Sequence, residues 1–204
     1  MTKTHFIEAI VNCQKVLFIT RPRRREKKLN MTMLQYFFNI PVQEDGRFDE
    51  EERSKRHQIL SQLKIGTQQE IMEGYFGQYP VIFICFKDIK GVTYEDIEAA
   101  IRDLIYKLYA AHRYFLRSDK LDDIQKEHFR KFITKKFNLS ELKDSLYSLS
   151  EMLFAHFGKK VVILIDEYDT PKNDLYAKKL AREGKPSEED DLYLEKILLL
   201  LEVF

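Results

Sequence analysis

The sequence predicts an α/β domain, a parallel sheet with flanking helices. Three observations carry this. Val81-Ile82-Phe83-Ile84-Cys85-Phe86 and Val161-Val162-Ile163-Leu164-Ile165 are unbroken apolar runs of strand length. Such runs fit strands buried on both faces, as parallel sheets require. The second run stops at Asp166-Glu167, and the carboxyl ends of strands are where α/β sheets place ligands. Between the runs lie long stretches with apolar residues at helical spacing, which imply crossover connections.

Taken in order, Lys3 to Asn12 reads as a short amphipathic helix on Phe6, Ile7 and Ile10. Val16 to Ile19 is a short strand that runs into the basic stretch Thr20 to Lys28. Leu29 to Phe38 carries Met31, Leu34, Phe37 and Phe38 at helical spacing and ends before Pro41. Gln43 to Lys55 is polar and acidic and reads as a mobile loop entering a helix over about Glu51 to Leu63. Gly66-Thr67 breaks that helix, and Gln68 to Tyr75 forms another short one. After the Val81 strand, Thr93 with Asp96 has the spacing of a capping box. Ile97, Ile101, Leu104, Ile105, Leu108, Ala111 and Phe115 then form one stripe to about Arg117. A further helix covers about Leu121 to Phe137. Asn138 with Glu141 offers a second capping box, followed by Leu142, Leu146, Leu149, Leu153 and Phe157 on one face, with Gly158 as the stop. Glu183 to Asp191 is polar, and Ser187 with its acidic followers suits a helix start. Leu192 to Phe204 therefore reads as helix, with a strand over Ile197 to Leu201 as the alternative.

The chain has 204 residues and a formal charge of +1, with 44% hydrophobic and 33% charged residues. That is the composition of a globular domain with a sizeable core. The balanced charge argues against a wholly basic nucleic-acid binder, while leaving local patches open. No apolar run is long enough to span a bilayer, and the N-terminus lacks a signal-peptide pattern. Cys13 and Cys85 are too few for a disulfide framework and read as buried thiols in a reducing, cytoplasmic setting. The histidines at 5, 57, 112, 128 and 156 have no Cys or His at metal-ligand spacing, so surface or helix-face roles are expected. Asn138-Leu139-Ser140 matches a glycosylation sequon but serves better as a cap. Tyr106, Tyr109 and Tyr114 read as packing residues.

The chemistry concentrates at two places. Side chains alternate along an extended chain, so Asp166 and Glu167 would point to opposite sides of the strand end. One could hold a metal ion and the other orient a water, although a buried strand with an acidic turn would look the same. The basic stretch between the first strand and the next helix is placed as an anion loop. A phosphate loop needs GxxxxGK[ST], whose backbone N–H groups cradle phosphates, whose Lys contacts them and whose hydroxyl binds Mg²⁺. Here the loop has no glycine, and Lys27 is followed by Lys28, whose ammonium cannot ligate a cation.

Three ordered motifs nevertheless resemble one family, the AAA-ATPase-like proteins often fused to a PD-(D/E)XK-type nuclease domain. The family's opening signature, DKT-x-x-I, a strand, then RPRRFGKT-L-N-x-S-M-L-x-Y-F-F, is matched in part. The matching pieces are Thr2-Lys3-Thr4-His5-Phe6-Ile7, Arg21-Pro22-Arg23-Arg24, Leu29-Asn30-Met31, Met33-Leu34 and Tyr36-Phe37-Phe38. Tyr79-Pro80-Val81-Ile82-Phe83 with Phe86-Lys87-Asp88 resembles YPVI-x-x-x-FKD, and Leu164-Ile165-Asp166-Glu167-Tyr168-Asp169-Thr170-Pro171 resembles the Walker B segment LIDEYDTP. The resemblance implies a P-loop NTPase-like parallel sheet with ATP and Mg²⁺ as cofactors. Carried over by position, Lys27 contacts phosphate, Asp166 supports Mg²⁺ and Glu167 is the water-orienting carboxylate. Arg21, Arg23, Arg24 and Lys28 fall in the same cofactor-binding stretch, and Asp169 belongs to the Walker B signature.

The departures sit in Walker A. Phe-Gly-Lys-Thr is replaced by Arg25-Glu26-Lys27-Lys28. Glu26 adds a side chain and a repelling charge where glycine lets backbone approach phosphate, and Lys28 replaces the Mg²⁺-binding hydroxyl. Weak or absent hydrolysis is the expectation. Residues 1–204 read as one C-terminally truncated domain, with Tyr193 to Lys196 faintly similar to the segment before the sensor strand and Leu200 at the sensor's place. An incomplete sheet would offer an edge for oligomerisation. Two other readings stay open. One is a non-catalytic module whose basic loop, six cations among the eight residues Arg21 to Lys28, contacts nucleic acid or another acidic partner. The other is an inactive fragment.

Overall fold

A computed structural model describes residues 5–12, 26–91, 93–168 and 170, with only the backbone at positions 5, 26 and 27. The expected strand at Val16 to Ile19, Cys13, and the segment from Pro171 onward lie outside the described residues. The described chain is a mostly helical α/β structure. Helices α1 (His5–Val11), α2 (Glu26–Phe38), α3 (Glu50–Ser61) and α4 (Gln69–Tyr75) precede strand β1 (Val81–Cys85). Helices α5 (Tyr94–Ala110), α6 (Asp123–Ile133), α7 (Leu139–Lys143) and α8 (Ser145–Phe157) then lead to β2 (Val162–Asp166). β1 and β2 pair in a two-stranded parallel sheet. No described helix is long and apolar enough to cross a membrane.

The chain divides into two compact units, Met1–Ile82 with Phe157–Leu164, and Phe83–His156 with Ile165–Phe204. In the first, Leu34 and Phe37 of α2, Leu60 of α3 and Phe76 are buried together with Ile82. The end of α2 runs beside the entry to β1. Gly77 N donates to Phe37 O (2.8 Å), Tyr79 N to Phe38 O (3.0 Å) and Ile40 N to Tyr79 O (3.0 Å). The Asn39 side chain accepts from Val81 N at 3.2 Å, so this asparagine continues the pairing where the backbone leaves off. Gly77 sits at φ 62°, a conformation suited to glycine. Residues 43–47, expected as a loose loop, close on themselves through Gln43 N to Arg47 O and Gly46 N to Gln43 O, and Asp49 caps α3 through Glu52 N.

In the second unit both expected capping boxes form, Thr93 with Asp96 and Asn138 with Glu141, and Asp122 with Gln125 adds a third. Ile97, Ile101 and Ile105 of α5 are fully buried as the stripe predicts, and Tyr109 joins them. The Tyr109 ring stacks on Phe132 of α6 (centroids 4.1 Å apart), and its hydroxyl donates to the Ser145 carbonyl at 2.7 Å.

Several expectations are corrected. α2 starts at Glu26 rather than Leu29, because an acidic residue is favourable at a helix N-terminus. α5 ends at Ala110, and Arg113–Arg117 forms a 3₁₀ turn. Adjacent Tyr114 and Phe115 are both buried, which the tighter winding allows. α6 ends at Ile133, where Lys135 takes the left-handed conformation (φ 56°) and Lys136 N bonds Lys131 O. That closure is usually made by glycine, so no sequence signal marked it. The helix after Asn138 is interrupted at Asp144, giving α7 and α8. Finally, β2 is not buried on both faces. Ile163 is 44% exposed while Leu164 and Asp166 are covered, the alternation of a strand with one covered side.

Candidate functional site

Lys27 and Lys28 lie in the first turn of α2, where backbone N–H groups are free of helical partners and the helix dipole favours anions. Lys28 is exposed. Its carbonyl accepts from the Thr32 hydroxyl at 2.9 Å, one turn on. Asn30, two residues further along α2, is 9% exposed. Of Lys27 only the backbone is described, and Arg21, Arg23, Arg24 and Asp169 lie outside the described residues.

The acidic half is built by the end of β2. Asp166 is the last strand residue and is 1% exposed. Its Oδ1 accepts from the Glu167 backbone N–H at 3.0 Å, which fixes the carboxylate against its own turn. Glu167 does not continue the strand. Its backbone lies at φ 55°, and with Lys135 it is one of two described non-glycine residues in the left-handed region. Asp166 and Glu167 therefore do not alternate along one strand as expected, because the chain turns between them. A glutamate has no local means of making that conformation cheap, and such backbone outliers concentrate at functional sites. Thr170 holds the turn twice, its N–H donating to Glu167 O at 3.0 Å and its hydroxyl to Glu167 Oε2 at 3.3 Å. Tyr168 projects outward, 57% exposed.

The structure thus brings Asp166, Glu167 and Thr170 together within one unit, while Lys28 belongs to the other. Thr170 had no role assigned from sequence, although it stands inside the LIDEYDTP motif. Among the described residues, no three His, Cys, Asp or Glu side chains gather as a metal set.

Sequence reasoning also missed a polar cluster among aromatic rings in the second unit. His112 Nδ1 meets the Tyr114 hydroxyl at 2.9 Å, and His156 Nδ1 meets the Ser118 hydroxyl at 2.7 Å. Both imidazoles contact the Phe115 ring. Burial, helped by His156 nearby, pulls the His112 pKa down to about 4. Burial likewise raises that of the Tyr114 hydroxyl, so the neutral pair with tyrosine donating is the stable form. Ser118 and His156 are 38 residues apart, and no linear spacing could have paired them.

The structure is a mostly helical α/β protein with a small two-stranded parallel sheet, and a buried carboxylate and a constrained glutamate stand at the end of β2. The family model described as Predicted AAA-ATPase matches residues 1–186, and the chain belongs to this AAA-ATPase-like family. No curated protein and no solved structure matches it.

Proposed function

We propose that the chain is a P-loop-like nucleotide-binding domain whose Walker B half is intact and whose Walker A half is degenerate, so that hydrolysis is weak or lost. The observation that carries this is the turn at Asp166-Glu167-Thr170. A buried carboxylate ends the strand, and a glutamate held in the left-handed region follows it. The family assignment supports nucleotide use in general.

The residues fit a magnesium ion in part. Asp166 supplies a hard oxygen donor, the kind that Mg²⁺ takes singly or in pairs alongside phosphate and water oxygens. Lys28, where a hydroxyl would complete the set, cannot ligate. Bound Mg²⁺ would neutralise charge on the phosphates. Lys27 contacts phosphate at the start of α2, with the arginines of the preceding stretch adding positive charge. Glu167, restrained by the Thr170 hydroxyl, orients a water. Glu26 opposes the polyphosphate by like charge.

The test compares this chain with a Glu26→Gly, Lys28→Thr double variant in MgATP binding and phosphate release. The expected outcome is weak binding and slow turnover in the parent, both raised by at least tenfold in the variant, about 1.4 kcal/mol. Equal absence of binding in both overturns the nucleotide reading. In that case salt-dependent DNA binding, lost on neutralising Arg23 and Arg24, would identify the basic stretch as a nucleic-acid contact.

A further inference from the structure

α3 carries a second site, distinct in residues and chemistry from the one above. A cavity of about 690 Å³ lies along this helix, within the first compact unit. Its wall is made by two rows four residues apart, Ser54-Gln58-Gln62 and Arg53-His57-Ser61, with Glu50 at the helix start. That volume lies in the range of small-molecule sites, but those are mostly apolar. This wall mixes the hydroxyls of Ser54 and Ser61, the amides of Gln58 and Gln62, the His57 imidazole and the Arg53 guanidinium with the Glu50 carboxylate and the Phe76 ring, and all but Arg53 and Phe76 are exposed to solvent.

The charges of α3 are distributed unevenly. Lys55 pairs with Glu51 at 2.7 Å and Arg56 with Glu52 at 2.7 Å, both at i,i+4 spacing. Among the described residues Arg53 and Glu50 have no such pair, and both line the cavity. Arg53 is also held in place. Its guanidinium lies over the rings of Phe48 (5.8 Å) and Phe76 (5.9 Å). Its Nε is buried with no hydrogen-bond acceptor among the described residues. A buried donor without an acceptor costs on the order of 1–3 kcal/mol, more when charged. The α3 sequence thus keeps a fixed, undercommitted guanidinium beside a cavity rich in neutral hydrogen-bonding groups. The planar guanidinium fork matches carboxylate and phosphate oxygens.

We propose that this cavity binds a small polyhydroxylated organic oxyanion. Arg53 takes the anionic group, and Ser54, Gln58 and Gln62 take the ligand's hydroxyls. Phosphate esters and carboxylates share this chemistry, and the experiment separates them.

The full chain is titrated with glucose 6-phosphate, with gluconate and with neutral glucose, following the Arg53 Nε–H and the Gln58 and Gln62 side-chain amides by ¹⁵N–¹H NMR. None of these probes carries a nucleobase, so failure here leaves the nucleotide reading untouched, and the reverse. Saturable shifts of all three groups with one or both anions, and none with glucose, are expected. The stronger anion identifies the ligand as phosphate or carboxylate. Arg53→Gln should weaken binding by about tenfold or more, and Gln58→Ala by a few-fold. Lys55→Gln, which removes an exposed and already paired charge, should leave it unchanged. Should Arg53→Gln fail to fold, Ser54→Ala and Gln58→Ala carry the test. Shifts that never saturate, that sodium chloride reproduces, or that survive in Gln58→Ala and Ser54→Ala together overturn the proposal.

Discussion

Glu167 occupies a backbone conformation in which its own side chain is a liability, at φ 55°. Glycine has no such difficulty. Glu167→Gly should therefore raise the thermal midpoint, by up to about 1 kcal/mol of stability, while removing the carboxylate that would orient a water. Thermal unfolding measured beside phosphate release checks both halves. A lower midpoint would show that the Thr170 hydroxyl bond outweighs the strain. His112 presents the opposite case, a side chain whose surroundings disfavour its charged form. Its folded pKa of about 4 lies below the ordinary histidine value of 6.5. The neutral form is thus favoured by folding, and this contribution is complete above pH 6.5. It is lost as pH falls from 6.5 towards 4, where the unfolded chain binds the proton first. The drop should be on the order of 1–3 kcal/mol and should be missing in His112→Gln, as denaturant titrations across that range would show. Asp103 titrates lower. Lys107 and Lys135 hold it near a pKa of about 2, so its loss of stabilisation falls below that window.

Among the elements, helix starts were the most legible. Thr93 and Asn138 each cap a helix with the expected partner three residues on, because capping is written in local spacing, whereas the same box at Asp122 was not singled out. Helix ends were legible where proline or glycine made them, and α2 stops at Phe38 ahead of Pro41 as expected. Gly158, at φ 65°, follows α8 as expected, whereas Lys135 performs the same turn at the end of α6 without announcing itself. Gly66 marks a different constraint, one of space. A Cβ built there would come within 2.6 Å of the Ser61 backbone at the end of α3. Backbone cannot step aside as a flexible side chain can, so Gly66→Ala should destabilise by about 1–3 kcal/mol. Chemical denaturation of the variant would measure this, and a neutral result would mean that the 3₁₀ turn over Lys64–Thr67 shifts at little cost.

At the scale of the whole molecule, the two described strands, the helical character of the long segments and the acidic strand end could all be read from the sequence. Period-3.6 stripes report a buried face directly, and an unbroken apolar run reports a strand covered on at least one face. The exposed side of β2 could not be read, because an apolar run does not reveal how many of its faces find partners. The conformation of Glu167 was equally hidden, since glutamate is a poor marker of a left-handed turn and the hydroxyl that secures it comes from Thr170. The cavity on α3 escaped notice for a related reason. Ser, Gln and His at four-residue spacing look like an ordinary wet helix face until the fold shows which charges are already paired.

The pairing of Asn39 with Tyr79 has a consequence for how this chain opens. Two points 40 residues apart in sequence are neighbours in space, so α3, α4 and the turns between them form a closed excursion with both ends tied. The entropy of closing such a loop grows only slowly with its length. Most of the cost is therefore met once the ends are fixed, and residues 43–76 then share the core of the first compact unit, where Leu60 and Phe76 are buried with Leu34 and Phe37. An occupant of the α3 cavity would stabilise that unit in the first instance, and would slow amide exchange there before anywhere else.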